Sequence, residues 1–392
     1  MANGDLIAFN VASFVCALFV LEFGADKFID HTVIVARRIG VSQALIGLLT
    51  AGAEWEELVV VIVSVARNRS SLAIGTIVGS TISNILGAFS IGLLFHSANQ
   101  EIVFDRSSKI YTLLLLLLTT FVTLLTALGS RGSWEGFGGI LLALFVVYVA
   151  SVASAIIRGV ITAPEASDSD DSDDTSGEDS DSDSEVRPLL SSGAEIEREA
   201  TQDIGATTAT GSIDGALRAS PGPRNSQKRT LSRGGRHHSL KYHLGLLLAG
   251  FASICLSSYV LSHASTTISD EIGMSDVLFA IVIVSIATTL PEKFIAALSG
   301  SRGHAGILVA NTVGSNMFLL TLCMGIIFVV TAGDFDSGSV NTVEVGVMMG
   351  STIALTLTVC FGARWSRWIG AAMLVAYIAF LVLEFTTIRK VW

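Results

Sequence analysis

The sequence predicts an all-α polytopic membrane protein: ten transmembrane helices arranged as two inverted repeats of five. Three observations carry this. Of 392 residues, 51% are hydrophobic and 15% charged, with a mean hydropathy of +0.65, which suits a chain whose solvent is largely lipid. Apolar runs of about 20 residues or more, enough to cross roughly 30 Å of hydrocarbon, fall into two groups of five. A shift of 235 residues lays rare residues of the first group on identical ones of the second.

In chain order the runs lie near 6–25, 41–66, 72–95, 108–128 and 136–158, then near 242–263, 276–300, 304–331, 342–362 and 366–387. The first begins near Leu6 without a basic flank, so it reads as a spanning helix and not as a cleavable signal peptide. The domains that follow are a first membrane repeat (1–162), a disordered acidic cytosolic loop (163–241) and a second membrane repeat (242–392). Cys16, Cys255, Cys323 and Cys360 all lie in apolar runs with no CxxC pair. They read as small core hydrophobes and not as metal ligands or disulfides.

The formal net charge of −10 belongs mostly to the loop, where 16 acidic and 9 basic side chains lie. Nothing in it points to a nucleic-acid partner. Ser167–Glu185 is almost wholly Ser, Asp and Glu and cannot bury a core. A solvated tether is the first reading; a kinase substrate, in which each phosphoserine adds negative charge, and a weak calcium sensor are the others. Glu185-Val-Arg-Pro-Leu189-Leu190 fits an acidic dileucine sorting signal for a cytosolic adaptor. It tilts localisation towards an endomembrane such as a vacuole or lysosome, with the plasma membrane as the alternative.

The 235-residue shift places Ile46, Glu57, Ser64, Arg67, Val78, Gly79 and Ser80 on Ile281, Glu292, Ser299, Arg302, Val313, Gly314 and Ser315. A glutamate and a Gly-Ser pair recur 22 residues apart in both halves. With five spans per half the second copy inserts upside down, and such inverted repeats put their site near the midplane. Basic residues of short loops set the orientation. With the N-terminus outside, Lys27, Arg37, Arg38, Arg106, Lys109, Arg158, Arg302, Arg364 and Arg367 are cytosolic, against Arg67, Arg69, Arg131, Arg389 and Lys390 opposite.

The chemistry concentrates in two stretches, Gly52-Ala53-Glu54-Trp55-Glu56-Glu57 and Ala287-Thr288-Thr289-Leu290-Pro291-Glu292. Pro291 is the one proline outside the polar middle segment. It breaks a membrane helix and frees carbonyls that need partners; Gly52 marks the matching point of the first half. A carboxylate at membrane depth is costly and marks a functional site by default. Helical spacing sets Thr288 and Thr289 one turn from Glu292, and Glu54 on the face of Glu57. Glu56 lies off that face and is expected to reach water. Partner stretches supply hydroxyls and amides, namely Ser80 and Asn84 in the first half and Asn311 and Ser315 in the second. Such hard oxygens suit Ca²⁺, Mg²⁺, Mn²⁺ or Na⁺ and not soft metals. Glu22, Glu101, Asp276 and Glu384 are placed near helix ends as ordinary surface acids, and Trp134, Trp365 and Trp368 as interface anchors.

These residues resemble the alpha repeats of the sodium/calcium exchanger family, within the calcium/cation antiporter superfamily. The family pattern is Gly-Thr-Ser-x-Pro-Glu, followed by Gly-Asn-x-x-Gly-Ser-Asn-x-x-Asn/Asp. The second half keeps Thr288, Thr289, Pro291, Glu292, Asn311, Gly314, Ser315 and Asn316; the first keeps Gly52, Glu57, Gly75, Gly79, Ser80 and Asn84. Leu21–Phe28, followed by Val41-Ser42, resembles the family's first helix and the entry to its second. The resemblance implies alternating access, calcium-ligating glutamates at Glu57 and Glu292, helper hydroxyls at Thr288 and Thr289 and amides at Asn84 and Asn311. The first half departs with Ala53, Glu54, Glu56 and Thr76, and the second with Leu319. Sodium sites depend on several of these positions, so proton coupling stands beside sodium coupling.

The expectation is a secondary active cation antiporter, not an enzyme, that moves Ca²⁺ or a related divalent cation against Na⁺ or H⁺ without a cofactor. Its partners are inorganic cations and the bilayer. The alternative is a non-transporting scaffold or sensor acting through the acidic loop. No HExxH, GxSxG or paired-aspartate motif supports an intramembrane enzyme.

Overall fold

A computed structural model describes residues 4–38, 54–96, 102–128, 134–157, 240–332, 340–362 and 365–388, and no strand occurs among them. The first half comprises α1 (Gly4–Arg38), α2 (Trp55–Ala66), α3 (Ser70–Phe95), α4 (Arg106–Leu128) and α5 (Trp134–Ile157). The second comprises α6 (Leu240–Ile272), α7 (Asp276–Thr288), α8 (Leu290–Ser301) and α9 (Ala305–Thr331), then α10 (Thr342–Phe361) and α11 (Ser366–Leu383). Among the described residues eight helices are long and apolar enough to cross a membrane, and the α7–α8 pair, bent by 50°, makes a ninth. The expected span 41–66 is described from Glu54 onward, with α2 as its described part. The acidic segment, Gly52, Glu101, Glu185, Leu189 and Leu190 lie outside the described residues.

The 235-residue offset seen in the sequence governs the backbone. It carries Trp55–Ala66 onto Leu290–Ser301, residue for residue. Both helices end the same way. Asn68 and Gly303 hold positive φ values of 56° and 74°. The following N–H groups, of Arg69 and His304, donate to Ser64 O and Ser299 O, each at 2.9 Å. Left-handed residues that let the chain fold back on the last carbonyls are a common helix stop. Both helices also follow a non-helical residue, Glu54 (φ −79°, ψ 68°) and Thr289 (φ −91°, ψ 17°).

The two copies run in opposite directions. Arg38, at the end of α1, lies 3.3 Å from the Nε2 atom of His243, at the start of α6. Midway, a Cβ on Gly250 would stand 2.8 Å from the Phe28 backbone nitrogen, so only glycine permits the crossing. The pair packs through an apolar cluster of Phe14, Ala17, Leu21, Ile254 and Leu261 that also takes in Val60 of α2 and Phe279 and Val284 of α7. A second, larger cluster holds the remaining helices together, centred on Ile77, Phe89, Leu320 and Phe328.

Burial separates inner from outer helices. In α3 and α9, 89% and 78% of the most apolar stretch is buried, against 11% in α5. Outward residues such as Phe19, Phe294 and Phe361 are apolar and exposed, as expected where lipid is the solvent. Trp365 and Trp368 are exposed, but Trp134 is 8% exposed. Its ring packs edge-on to Phe328 at 4.9 Å, which corrects its expected place at the interface. Glu22 falls inside α1 and not near an end, because α1 runs 35 residues. Glu384 is buried, and Asp276 pairs with Arg69 at 3.0 Å.

Candidate functional site

The non-helical residues Glu54 and Thr289 bring the two acidic stretches together. Glu54, Glu56 and Glu292 each present a carboxylate oxygen within 4.8 Å of the others, and all three are buried. Glu57 is fully buried, and its Oε1 accepts the Thr288 hydroxyl at 3.1 Å. Thus each repeat reaches a carboxylate or hydroxyl into the other. Charged carboxylates at such separations repel by roughly 3–4 kcal/mol per pair at an effective dielectric constant of about 20. The cluster therefore calls for cations.

Helix geometry explains the arrangement. Glu54 stands outside α2, and Glu56 and Glu57 occupy its first turn. There the positive end of the helix dipole favours acidic side chains. Pro291 sits in the first turn of α8, ahead of Glu292, where its missing N–H is least costly. The chain thus stops after Thr288, bends, and restarts with Glu292 on a fresh helix. Glu56, expected to reach water, is 9% exposed and joins the cluster. Glu54 stands outside the helix that begins at Trp55, so the helical spacing between Glu54 and Glu57 on which that expectation rested does not hold.

Buried atoms without a hydrogen-bond partner among the described residues include Glu57 Oε2 and Glu292 Oε2 of the acidic stretches, and Thr81 Oγ1 and both amide atoms of Asn84 and Asn316 in the partner stretches. Buried polar groups are normally paired, so an unpaired oxygen on each of Glu57 and Glu292 fits a bound cation. Asn84 is the second residue of a π-helical segment, Ser83–Phe89, in α3, and Leu319 opens another in α9, Leu319–Cys323. Such wide turns recur at functional sites. Ser315 is buried beside Asn316, whereas Asn311 is only partly buried.

Thr289 faces a different neighbour. Its hydroxyl donates to Ser285 O at 2.5 Å and lies 2.9 Å from Ser83 Oγ. The Lys293 ammonium donates to the same hydroxyl, to Thr289 O at 3.1 Å and to Ser83 Oγ at 2.9 Å. Tyr377 reaches Ser83 Oγ at 3.0 Å from α11. Sequence reasoning overlooked Lys293 and Tyr377 as members of this neighbourhood and sent Glu56 to water, whereas Thr81, Ser83 and Asn316 lie in the partner stretches whose hydroxyls and amides it counted as neutral donors. The 235-residue offset pairs Thr81 with Asn316.

A family model described as "Sodium/calcium exchanger protein" matches residues 9–153 and 242–386. Over 144 residues the chain is 31% identical to a putative antiporter CaxA of Alkalimonas amylolytica, covering 36% of this chain and 45% of that one. Over 143 residues it is 25% identical to the sodium/calcium exchanger MaX1 of Methanosarcina acetivorans, covering 36% and 39%. The matches thus span less than half the length of these curated relatives. Among solved structures, the sodium-calcium exchanger NCX_Mj superposes with a TM-score of 0.51 at 18% identity, covering 96% of this chain and 98% of that one. At that identity the likeness speaks for the fold.

Proposed function

The chain belongs to the sodium/calcium exchanger family, and on that premise we propose that it is a secondary active antiporter moving Ca²⁺, or a related divalent cation, against Na⁺ or H⁺. The observation that carries this reading is the convergence of Glu54 and Glu56 from one repeat with Glu292 from the other, within 4.8 Å. The names of two matched relatives, a putative antiporter and a sodium/calcium exchanger, support it.

The divalent ion binds among Glu54, Glu56, Glu57 and Glu292, with Thr288, Ser80, Ser315 and the amides of Asn84, Asn311 and Asn316 as neutral donors. Thr289 serves the adjoining hydroxyl cluster. Four carboxylates and one neighbouring ammonium carry more negative charge than one divalent ion cancels. Monovalent cations or protons that take the same carboxylates after the divalent ion leaves give exchange through one site. The antiparallel α1–α6 pair shifts against the other helices and exposes the site to alternate sides.

We place residues 1–162 and 242–392 as the two membrane repeats and 163–241 as a cytosolic regulatory loop. In it Glu185, Leu189 and Leu190 engage a sorting adaptor that directs the protein to an endomembrane, and the serines accept phosphate from a kinase. Uptake of radioactive calcium into sealed vesicles tests the transport reading, comparing an imposed sodium gradient with an imposed pH gradient. Mn²⁺ and Mg²⁺ serve as competitors. Uptake driven by one of the gradients is expected; no uptake under either would refute antiport.

A further inference from the structure

The Lys293 ammonium sits where a small monovalent cation would find its ligands. Its three N–H groups meet three neutral oxygens: the Ser83 hydroxyl at 2.9 Å, the Thr289 carbonyl at 3.1 Å and the Thr289 hydroxyl. An ammonium has three donors and no acceptor, so this set satisfies it fully. The oxygens come from both repeats. Thr289 stands at the helix break, where its carbonyl holds the following helix only through a long 3.4 Å bond from Lys293 N. Ser83 begins the π-helical segment of α3. Tyr377 braces the Ser83 hydroxyl from behind at 3.0 Å.

The neighbourhood is shaped to the lysine stem. A Cβ on Gly87, in the same π-helical segment, would stand 3.3 Å from Lys293 Cε. The feature is also confined to one repeat. At the 235-residue offset Lys293 corresponds to Leu58, Thr289 to Glu54 and Ser83 to Phe318. The first repeat thus carries an extra carboxylate where the second carries a hydroxyl, and only the second supplies an ammonium.

Hydroxyl and carbonyl oxygens without a carboxylate form a donor set for a hard monovalent ion such as Na⁺. We infer that Lys293 is a tethered resident cation filling an alkali-cation subsite next to the divalent site, so that the carrier moves one mobile monovalent ion fewer than its oxygen framework can hold. The consequence for coupling rests on the antiport reading; occupancy of the subsite does not.

The test uses the full purified chain. Bound ²²Na⁺ is counted at saturating sodium in wild type, in Lys293→Ala, which empties the subsite, and in Lys293→Met, which removes the charge but keeps the bulk. Lys293→Ala is expected to bind one more Na⁺ per chain than wild type, and Lys293→Met no more. Equal counts in wild type and Lys293→Ala would overturn the inference. Should the alanine variant fail to fold, Lys293→Ser, which leaves room and adds a hydroxyl, decides by the same count. In calcium-loaded proteoliposomes the reversal potential then gives the charge moved per Ca²⁺, expected to shift by one elementary charge in Lys293→Ala. Wild-type vesicles that move no calcium would defeat the antiport reading, while the sodium count would still judge the subsite.

Discussion

The Thr288 hydroxyl donates to Glu57 Oε1 at 3.1 Å across 231 positions of sequence. The bond joins the broken helix of one repeat to the first turn of α2 in the other. Thr288 also donates to Val284 O at 3.1 Å, so its hydroxyl is shared between holding its own helix and orienting a carboxylate. The other oxygen of Glu57 is left unpartnered, pointing to a carboxylate held by one atom with the second kept for an ion.

Replacing Thr288 by Val keeps the shape and removes the donor. A hydrogen bond to a charged group contributes about 1.5–3 kcal/mol, so the calcium concentration for half-maximal uptake should rise roughly 10- to 100-fold, at about 1.4 kcal/mol per tenfold. Thr288→Ser should recover most of that loss. A Thr288→Val carrier with unchanged calcium dependence would remove the hydroxyl from the site.

Glu56 and Glu292 separate two views of the acidic cluster. Neutralising a member of a buried charge set costs about 3–5 kcal/mol, more than a hundredfold in binding at about 1.4 kcal/mol per tenfold. Glu292→Gln is therefore expected to abolish calcium uptake in protein that still purifies as a folded chain. Glu56→Gln should weaken uptake strongly too, since Glu56 shares the 4.8 Å cluster. Wild-type uptake in Glu56→Gln would take that residue out of the ion site.

The repeat, the spans and the principal acids were legible because they depend on rare residues. Glutamate at membrane depth is costly, and a Gly-Ser pair at matching spacing is uncommon, so an offset of 235 carried real information. The helix-face argument failed for Glu56 because α2 starts at Trp55 and Glu54, the residue against which its face was judged, lies outside the helix. Lys293 was passed over because lysine near a helix end ordinarily extends to water. Its inward path needs Ser83 and Gly87 of the other repeat, more than 200 residues away. Trp134 was misread for a related reason. Its ring is buried by Phe328, a partner that local composition does not announce.

Sidedness follows from contacts between loops. Arg69, between α2 and α3, pairs with Asp270 at 3.4 Å and with Asp276 at 3.0 Å, which puts the α2–α3 and α6–α7 connections on one face. Arg367 donates to His96 O at 2.9 Å, which joins the end of α3 to the start of α11. The basic-residue pattern assigns the first pair to the outer or lumenal side and the second to the cytosol. Single cysteines at Arg69 and Asp270 should then react with a membrane-impermeant thiol reagent from the side opposite to a cysteine at Arg367. Labelling is read above the signal of the four native cysteines. Reaction of all three from one side would contradict the inverted arrangement.

Gly79 tests whether the two repeats must touch closely for the site to form. A Cβ there would stand 2.7 Å from Ile281 Cα and 2.9 Å from Ser285 Oγ. The backbone of the second repeat has no flexible side chain to move aside at that point. Overpacking a well-packed interior costs about 1–3 kcal/mol. In Gly79→Ala that strain would fall on the seam between Ser80 and the helix leading to Thr288. We expect a lower melting temperature and a loss of calcium uptake larger than the loss of folded protein, because separation of the helices displaces Thr288 from Glu57 before it unfolds the chain. Gly346→Ala, where nothing lies within 4 Å of the added carbon, is the control and should leave both measurements unchanged. Equal behaviour of the two variants would mean that the repeats can part at Gly79 without disturbing the acidic cluster.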